Sequence, residues 1–150
     1  MNILFICDRD ICRGPMAVGI LQSKLISNWG LSSQSAGISA TEGDAIDPKA
    51  DTVLEVRNIE LQHAARVVTE NALAWADLIL TMTRNQKFLL ISKHPNIADK
   101  IYTFQAYVGN PIHDIESPYG DDLFEYQECL RIIEAACDLL VQEILEEPNR

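Results

Sequence analysis

The 150-residue sequence is poor in glycine (7) and proline (6), and nowhere do these cluster with serine. That excludes a collagen-like repeat, a low-complexity chain and a linker between domains. Basic residues are scarce: twelve Lys and Arg stand against 22 Asp and Glu, a formal net charge of −10. The deficit is local, because the stretch from Ile112 to Glu147 holds eleven acids and one base, Arg131. Such a surface repels phosphate backbones and anionic lipid, so no nucleic-acid partner and no membrane docking are expected. Long apolar runs are missing too; none approaches the ~20 residues that span a bilayer. The opening Met1-Asn2-Ile3-Leu4-Phe5-Ile6 has no basic flank and meets Asp8 and Arg9 at once, which is not the pattern of a signal peptide. The four cysteines (7, 12, 129 and 137) are therefore expected to be reduced, in a cytoplasmic protein. Histidine is limited to His63, His94 and His113, with no metal-ligand spacing, so neither metal nor other cofactor is expected.

What is present is 47% hydrophobic residues, patterned as short apolar runs alternating with helix-period segments. Asn2–Cys7 reads as a strand buried on both faces. Pro15–Ser27 reads as a helix with proline at its first position, and Ser33–Ala40 as a second strand. Pro48–Arg57 is a helix that Asn58 stops in a left-handed conformation. Thr69 caps a short helix to Trp75, Leu78–Met82 is a third strand, and Thr83 with Gln86 forms a capping box for a helix to Lys93. Ile101–Thr103 is a fourth strand. Asp122 with Glu125 opens a long helix to about Leu145, with Leu123, Leu130, Ile133, Cys137, Leu140, Val141 and Ile144 on its inner side. The alternation predicts one α/β domain over residues 1–150: a four-stranded parallel sheet flanked by helices on both faces. Ligands of such sheets bind beyond the carboxyl ends of the strands, which draws attention to Cys7.

Cys7-Asp8-Arg9-Asp10-Ile11-Cys12-Arg13 is C-x5-R between a buried strand and a helix start. Five intervening residues let the backbone curl into a cradle whose N–H groups converge on one anion, reinforced by the helix N-terminus. That field is expected to lower the Cys7 thiol from about 8.5 toward ~3.5–7.5. Arg13 has the fork that grips two phosphoryl oxygens at once.

With these residues in view, the chain resembles the low-molecular-weight protein-tyrosine phosphatase family. Members open with C-x-G-N-x-C-R-S-P-x-A-E, and Cys7 to Val18 fills that frame. Ser35-Ala36-Gly37, Asp47-Pro48, Trp75-Ala76-Asp77-Leu78-Ile79-Leu80-Thr81-Met82-Thr83 and Asp114-Ile115-Glu116-Ser117-Pro118-Tyr119-Gly120 match further family motifs in order. The resemblance implies a phosphatase acting on phosphotyrosine in proteins or peptides through a cysteinyl-phosphate intermediate. Cys7 is then the nucleophile, Arg13 the phosphate clamp, Asp8, Arg9, Asp10, Ile11 and Cys12 the remainder of the phosphate-binding loop, and Tyr119 a wall for the substrate ring. It also implies that Cys7 and Cys12 can form a reversible disulfide, beside the plain reading of Cys12 as a small packing residue. His63 and Arg66 match a family H-x-x-R pattern and are read as structural supports; Trp29 and Trp75 are read as packing residues.

The departures fall on catalytic positions. The family's general-acid aspartate is here Ser117, whose hydroxyl is too weak an acid for that work; Glu116, Asp114 and Asp121 are the nearby substitutes. Gly14 replaces a serine whose hydroxyl steadies the thiolate. Asp10 replaces an asparagine, and a carboxylate cannot donate as an amide does. Asp8 and Asp10 add negative charge to an anion site and Arg9, in place of the family's glycine, adds a positive one; the three are either solvated charges on the loop rim or, through the two acids, a brake on phosphate binding. Impaired phosphatase activity is the first expectation. The alternative is a catalytically silent relative that binds phosphorylated partners or oxyanions. Arsenate reduction is disfavoured, because Cys129 and Cys137 lie eight residues apart on one predicted helix, about 12 Å along its axis and beyond disulfide reach.

Overall fold

Strand β1 spans Asn2–Cys7, and every residue from Ile3 on is buried. In the computed structural model, which describes residues 1–25, 30–118, 120 and 122–146, β1 pairs with β2 (Ser32–Gly37) on one edge and β3 (Leu78–Thr81) on the other. β3 in turn pairs with β4 (Ile101–Thr103). All three pairings are parallel, in the order β2-β1-β3-β4. The chain winds from β1 to one side and returns to the other, so the direction reverses at β1. That reversal opens a crevice at the carboxyl end of β1, where Cys7 stands.

Alternation along β1 divides the core. Ile3, Phe5 and Cys7 pack with α1 (Arg13–Lys24), α2 (Pro48–Val56) and the long C-terminal helix through Met16, Ile20, Leu54, Leu130, Ile133 and Leu140. Leu4 and Ile6 face the opposite layer with Leu73, Ile79, Leu90 and Ile101, under α3 (Glu70–Trp75) and α4 (Arg84–Lys93). The period of two in side-chain direction puts Cys7 on the α1 side of the sheet.

The helix boundaries follow their caps. Asp47 accepts from the Lys49 N–H with Pro48 at the first position, and Asn58 takes φ +59° after α2. Thr69 accepts from Ala72 N–H, and both halves of the Thr83/Gln86 capping box form. Other boundaries differ from the sequence reading. α1 begins at Arg13 rather than Pro15, because the Cys12 carbonyl already accepts the Met16 N–H at 3.0 Å. Leu25 is extended, so α1 ends at Lys24; Ser27 lies outside the described residues. β2 stops at Gly37 rather than Ala40, since the N–H groups of Ile38 and Ser39 turn to the carbonyls of Cys7 (3.0 Å) and Asp8 (2.7 Å). β3 ends at Thr81, one residue before Met82. Two short elements escaped the sequence reading: the 3-10 turn Pro95–Lys100 and α5 (Phe104–Tyr107), neither long enough to carry a period. The last helix, α6, runs Leu123–Glu146; Leu123, expected on its inner side, is exposed at its first turn. Trp75 packs against the second core layer as read, while Trp29 lies outside the described residues.

Gly37 decides how closely β2 approaches the loop after β1. A Cβ there would meet the Asp8 carbonyl oxygen at 2.7 Å and the Arg9 carbonyl carbon at 2.9 Å, both backbone atoms that cannot swing aside. Gly37→Ala should therefore destabilise the fold by about 1–3 kcal/mol, the usual range for overpacking. Urea unfolding checks this, and an unchanged midpoint would show that the loop yields freely.

Candidate active site

The loop Cys7-Asp8-Arg9-Asp10-Ile11-Cys12-Arg13 curls at the crevice as β1 gives way to α1. All seven residues line one cleft, joined by Asp47, Ser117, Pro118 and Tyr126. Its volume of about 200 Å³ is below the ~300–1,000 Å³ of drug-sized ligand sites and suits a phosphoryl group with the atoms next to it. Asp10 makes the turn, in the left-handed region at φ +58°. Asp and Asn tolerate that conformation better than other side chains.

Asp10 is fully buried, which corrects the reading of three solvated charges on the rim. His63 donates from Nε2 to the Asp10 carbonyl at 2.6 Å, and the Arg66 backbone N–H donates to Oδ2 at 3.0 Å. His63 and Arg66 thus brace the loop, as their pattern suggested. Burial raises the Asp10 carboxyl above the ordinary carboxylate range. Ser35, the Arg66 N–H and the charges of His63 and Arg66 act against that rise. Asp8 and Arg9 are the exposed members of the trio, and Arg9 lies 4.0 Å from Asp44.

Arg13 is 4% exposed. Its Nη1 donates to the Ile115 carbonyl at 2.9 Å and its Nη2 to Asp8 Oδ2 at 3.1 Å. The other Asp8 oxygen accepts from Gln86 Nε2 at 2.8 Å, and Gln86 is itself fixed by the N–H groups of Met82 and Thr83. The guanidinium is therefore oriented by the Ile115 carbonyl and by Asp8, a carboxylate that already shares its fork.

The Cys7 thiol departs from expectation. Burial pushes it up to about 11, with the Asp10 charge adding to the rise; Arg13 and the N–H groups of Gly14 and Asp10 pull the other way. Desolvation outweighs the field of the loop and the helix terminus, because Cys7 is 2% exposed. Cys12 is raised above the ordinary thiol range as well, chiefly by burial, and Cys129 to about 12 for the same reason. Cys7, Cys12, Cys129 and Cys137 are all free thiols.

Ser117 lines the cleft at the position where the motif has its acid. The proposed substitutes are not gathered there. Asp114 Oδ1 accepts from Arg84 N and Nε at 3.0 and 3.2 Å, which ties its carboxyl to the start of α4. Glu116 is exposed and is not among the cleft residues, while its backbone carbonyl receives the Cys129 thiol at 3.7 Å. Asp121 and Tyr119 lie outside the described residues. Besides Asp8 and Asp10 of the loop itself, the carboxylate that lines the cleft is Asp47, which the sequence reading placed only at a helix start. Its Oδ1 caps α2 and its Oδ2 accepts the Tyr126 hydroxyl at 2.7 Å. The Asp47 N–H donating to the Ile11 carbonyl at 2.8 Å brings the start of α2 to the loop, and no local pattern announces that long-range contact. Among the described residues no group of three or more His, Cys, Asp or Glu is placed to hold a metal ion, and no helix is long and apolar enough to cross a membrane.

Known proteins resemble this chain over nearly its whole length. A protein-arginine-phosphatase of Geobacillus stearothermophilus is 30% identical over 146 residues, covering 97% of each chain. A probable low molecular weight protein-tyrosine-phosphatase of Ralstonia nicotianae is 34% identical over 95% of each. The crystal structure of a low molecular weight protein tyrosine phosphatase from T. tengcongensis superposes with a TM-score of 0.89 at 35% identity, covering 95% of this chain and 99% of that one. The model of the family described as low molecular weight phosphotyrosine protein phosphatase matches residues 2–150. Matched over residues 2–150, the chain belongs to the low molecular weight phosphotyrosine protein phosphatase family.

Proposed function

We propose that this protein hydrolyses phosphotyrosine in proteins, with Cys7 as nucleophile and Arg13 as the clamp on the transferring phosphoryl group. One observation carries the reading: thiol, guanidinium and the curled backbone between them line a single small cleft at the reversal point of the sheet. Sγ of Cys7, as thiolate, attacks phosphorus; the S–P bond forms as the P–O bond to the phenolate breaks. Water then attacks the cysteinyl phosphate, releasing inorganic phosphate and returning the thiolate. Arg13 and the loop N–H groups hold the equatorial oxygens through both steps. By its motif position Tyr119 is the wall for the substrate ring.

Ser117 sets the limit on this activity. Neither Asp114 nor Glu116 lines the described cleft, and the Asp47 carboxylate there already accepts from the Lys49 N–H and the Tyr126 hydroxyl; on this reading the phenolate departs without a proton donor. The same observation favours, as a second reading, a protein that binds phosphorylated partners or phosphate without turnover. Relatives named protein-arginine-phosphatase make a phosphoarginine peptide the comparison substrate in every assay.

Cys7→Ser should abolish hydrolysis and leave the circular dichroism spectrum unchanged, because the alcohol stays protonated near neutral pH. Turnover equal to the parent would sink the assignment of the nucleophile. Rates should depend steeply on leaving-group acidity, with nitrophenyl phosphate cleaved far better than phosphotyrosine, whose phenol has a pKa near 10. Ser117→Asp should raise the phosphotyrosine rate about 10²–10⁴-fold and leave nitrophenyl phosphate nearly unaffected. Equal rates on both substrates in the parent would show that leaving-group protonation is not limiting. A parent with no turnover on any substrate, phosphoarginine included, that still binds phosphate would support the second reading.

Asp8→Asn should tighten inorganic phosphate several-fold, about 1 kcal/mol once the exposure of Asp8 is allowed for. Titration calorimetry measures it. Weaker binding in the variant would mean that Asp8 serves Arg13 as a positioning partner more than it competes with the anion.

A further inference from the structure

Away from the cleft, a hollow of about 210 Å³ opens along α4. Its walls are Ile38, Val67, Val68, Leu89 and Leu90, and its polar end is made by Lys93 and His94. Among the described residues no carboxylate lines it. The volume is below the ~300–1,000 Å³ of a drug-sized ligand site and suits a single large side chain. Next to Leu89 on the helix surface stands Phe88. Phe88 is 69% exposed and Leu89 39%, so an aromatic and an aliphatic side chain face solvent together beside the hollow.

The charge here runs against that of the chain. From Arg84 to Lys100 stand four of the twelve Lys and Arg and a single acid, Asp99, although the net charge of the whole is −10. Three of those four cations are engaged. Arg84 pairs with Asp114, Lys87 lies 5.9 Å from the Tyr102 ring centroid, and Lys100 donates to the Leu73 and Ala76 carbonyls at 2.7 Å each. Lys93 is exposed, and neither its ammonium nor the His94 ring makes a hydrogen bond or ion pair with a described residue. Glu42, which approaches Val67, spends its Oε1 on the Val67 N–H at 2.7 Å and lines a different groove. The dipole of α4 favours a cation in its last turn, but it does not call for apolar walls beside that cation. An unanswered positive charge and a hollow one side chain wide thus stand together.

We infer that this face of α4 docks an acidic polypeptide segment, one apolar side chain of which enters the hollow while a neighbouring carboxylate meets Lys93. An apolar anchor in a pocket with charge at its rim is the arrangement that carries most binding energy at protein interfaces. Charge complementarity names the occupant, since the segment's acids answer the local cations. A nucleic acid brings charge but no side chain to fill the hollow, and the −10 of the whole chain opposes an extended anionic membrane. A small carboxylate would leave Phe88 uncovered. The hollow and the cleft share no lining residue, so docking and phosphate binding are separate events.

The test is fluorescence anisotropy of a labelled, unphosphorylated peptide in which Phe and Leu alternate with Glu. At low salt it should bind about tenfold more tightly than the same peptide with Lys for Glu, and than polyglutamate of equal length. Its affinity should fall several-fold by about 0.3 M salt. Lys93→Glu and Leu89→Gln, both at solvent-facing positions, should each weaken it about tenfold with the circular dichroism spectrum unchanged. Lys93→Glu should also gain affinity for the lysine peptide. No binding, binding that ignores Lys93→Glu, or binding that polyglutamate matches overturns the proposal. Inorganic phosphate at matched ionic strength should not displace the peptide; displacement would place it in the cleft and overturn the proposal too. Phosphatidylserine vesicles should not compete, and if they do the patch is a lipid surface instead. The peptide carries no phosphate, so a chain that binds it without hydrolysing any substrate keeps this docking face and loses only the phosphatase reading.

Discussion

A loop that turns its N–H groups inward toward one anion must be held from outside, because it cannot brace itself. Here the holding point is Asp10. Its left-handed backbone makes the turn, its carbonyl takes the His63 ring, and its carboxyl takes the Arg66 N–H. Gly37 completes the brace by letting β2 close against the backbone of Asp8 and Arg9. The geometry around Cys7 and Arg13 depends on this clasp, in which one residue serves as hinge, acceptor and buried charge. Such concentration makes the site sensitive to whatever changes the state of that one side chain.

The electrostatics of the cleft are a contest rather than a sum. Arg13 and the backbone dipoles favour an anion, while burial and three carboxylates (Asp8, Asp10 and Asp47) oppose one. At Cys7 burial prevails, which is why the thiol lies above its ordinary range although the loop is built to attract negative charge. Orientation has been secured separately: Ile115 and Asp8 hold the Arg13 fork, and Gln86 holds Asp8. Asp8 thus has two effects at once: it orients the Arg13 fork and it sets a negative charge against that residue's field.

Much of this was legible in the sequence because the signals were local. The continuous run Asn2–Cys7, the Thr83/Gln86 capping box and Asn58 each fix an element through neighbouring residues, and the strands and caps formed where they pointed. The C-x5-R spacing placed Cys7 and Arg13 on one cleft for the same reason. What escaped depends on contacts far apart in the chain. Asp47 reaches the cleft through a bond to Ile11, Asp10 is buried by His63 and Arg66, and Asp114 is drawn aside by Arg84. The expected lowering of the Cys7 thiol failed on the same ground, since the depth of burial is a property of the whole fold and not of a motif.

The pinning of Ile115 has a consequence for how the cleft could change over evolutionary time. Its N–H is bound to the Met82 carbonyl and its own carbonyl to Arg13, and its side chain is fully buried. The backbone leading to Ser117 is thus anchored to Met82 and Arg13 alike, whatever side chain position 117 carries. Chemistry at that position is separable from architecture. The side chain at position 117 can change while the backbone that presents it to the cleft stays in place.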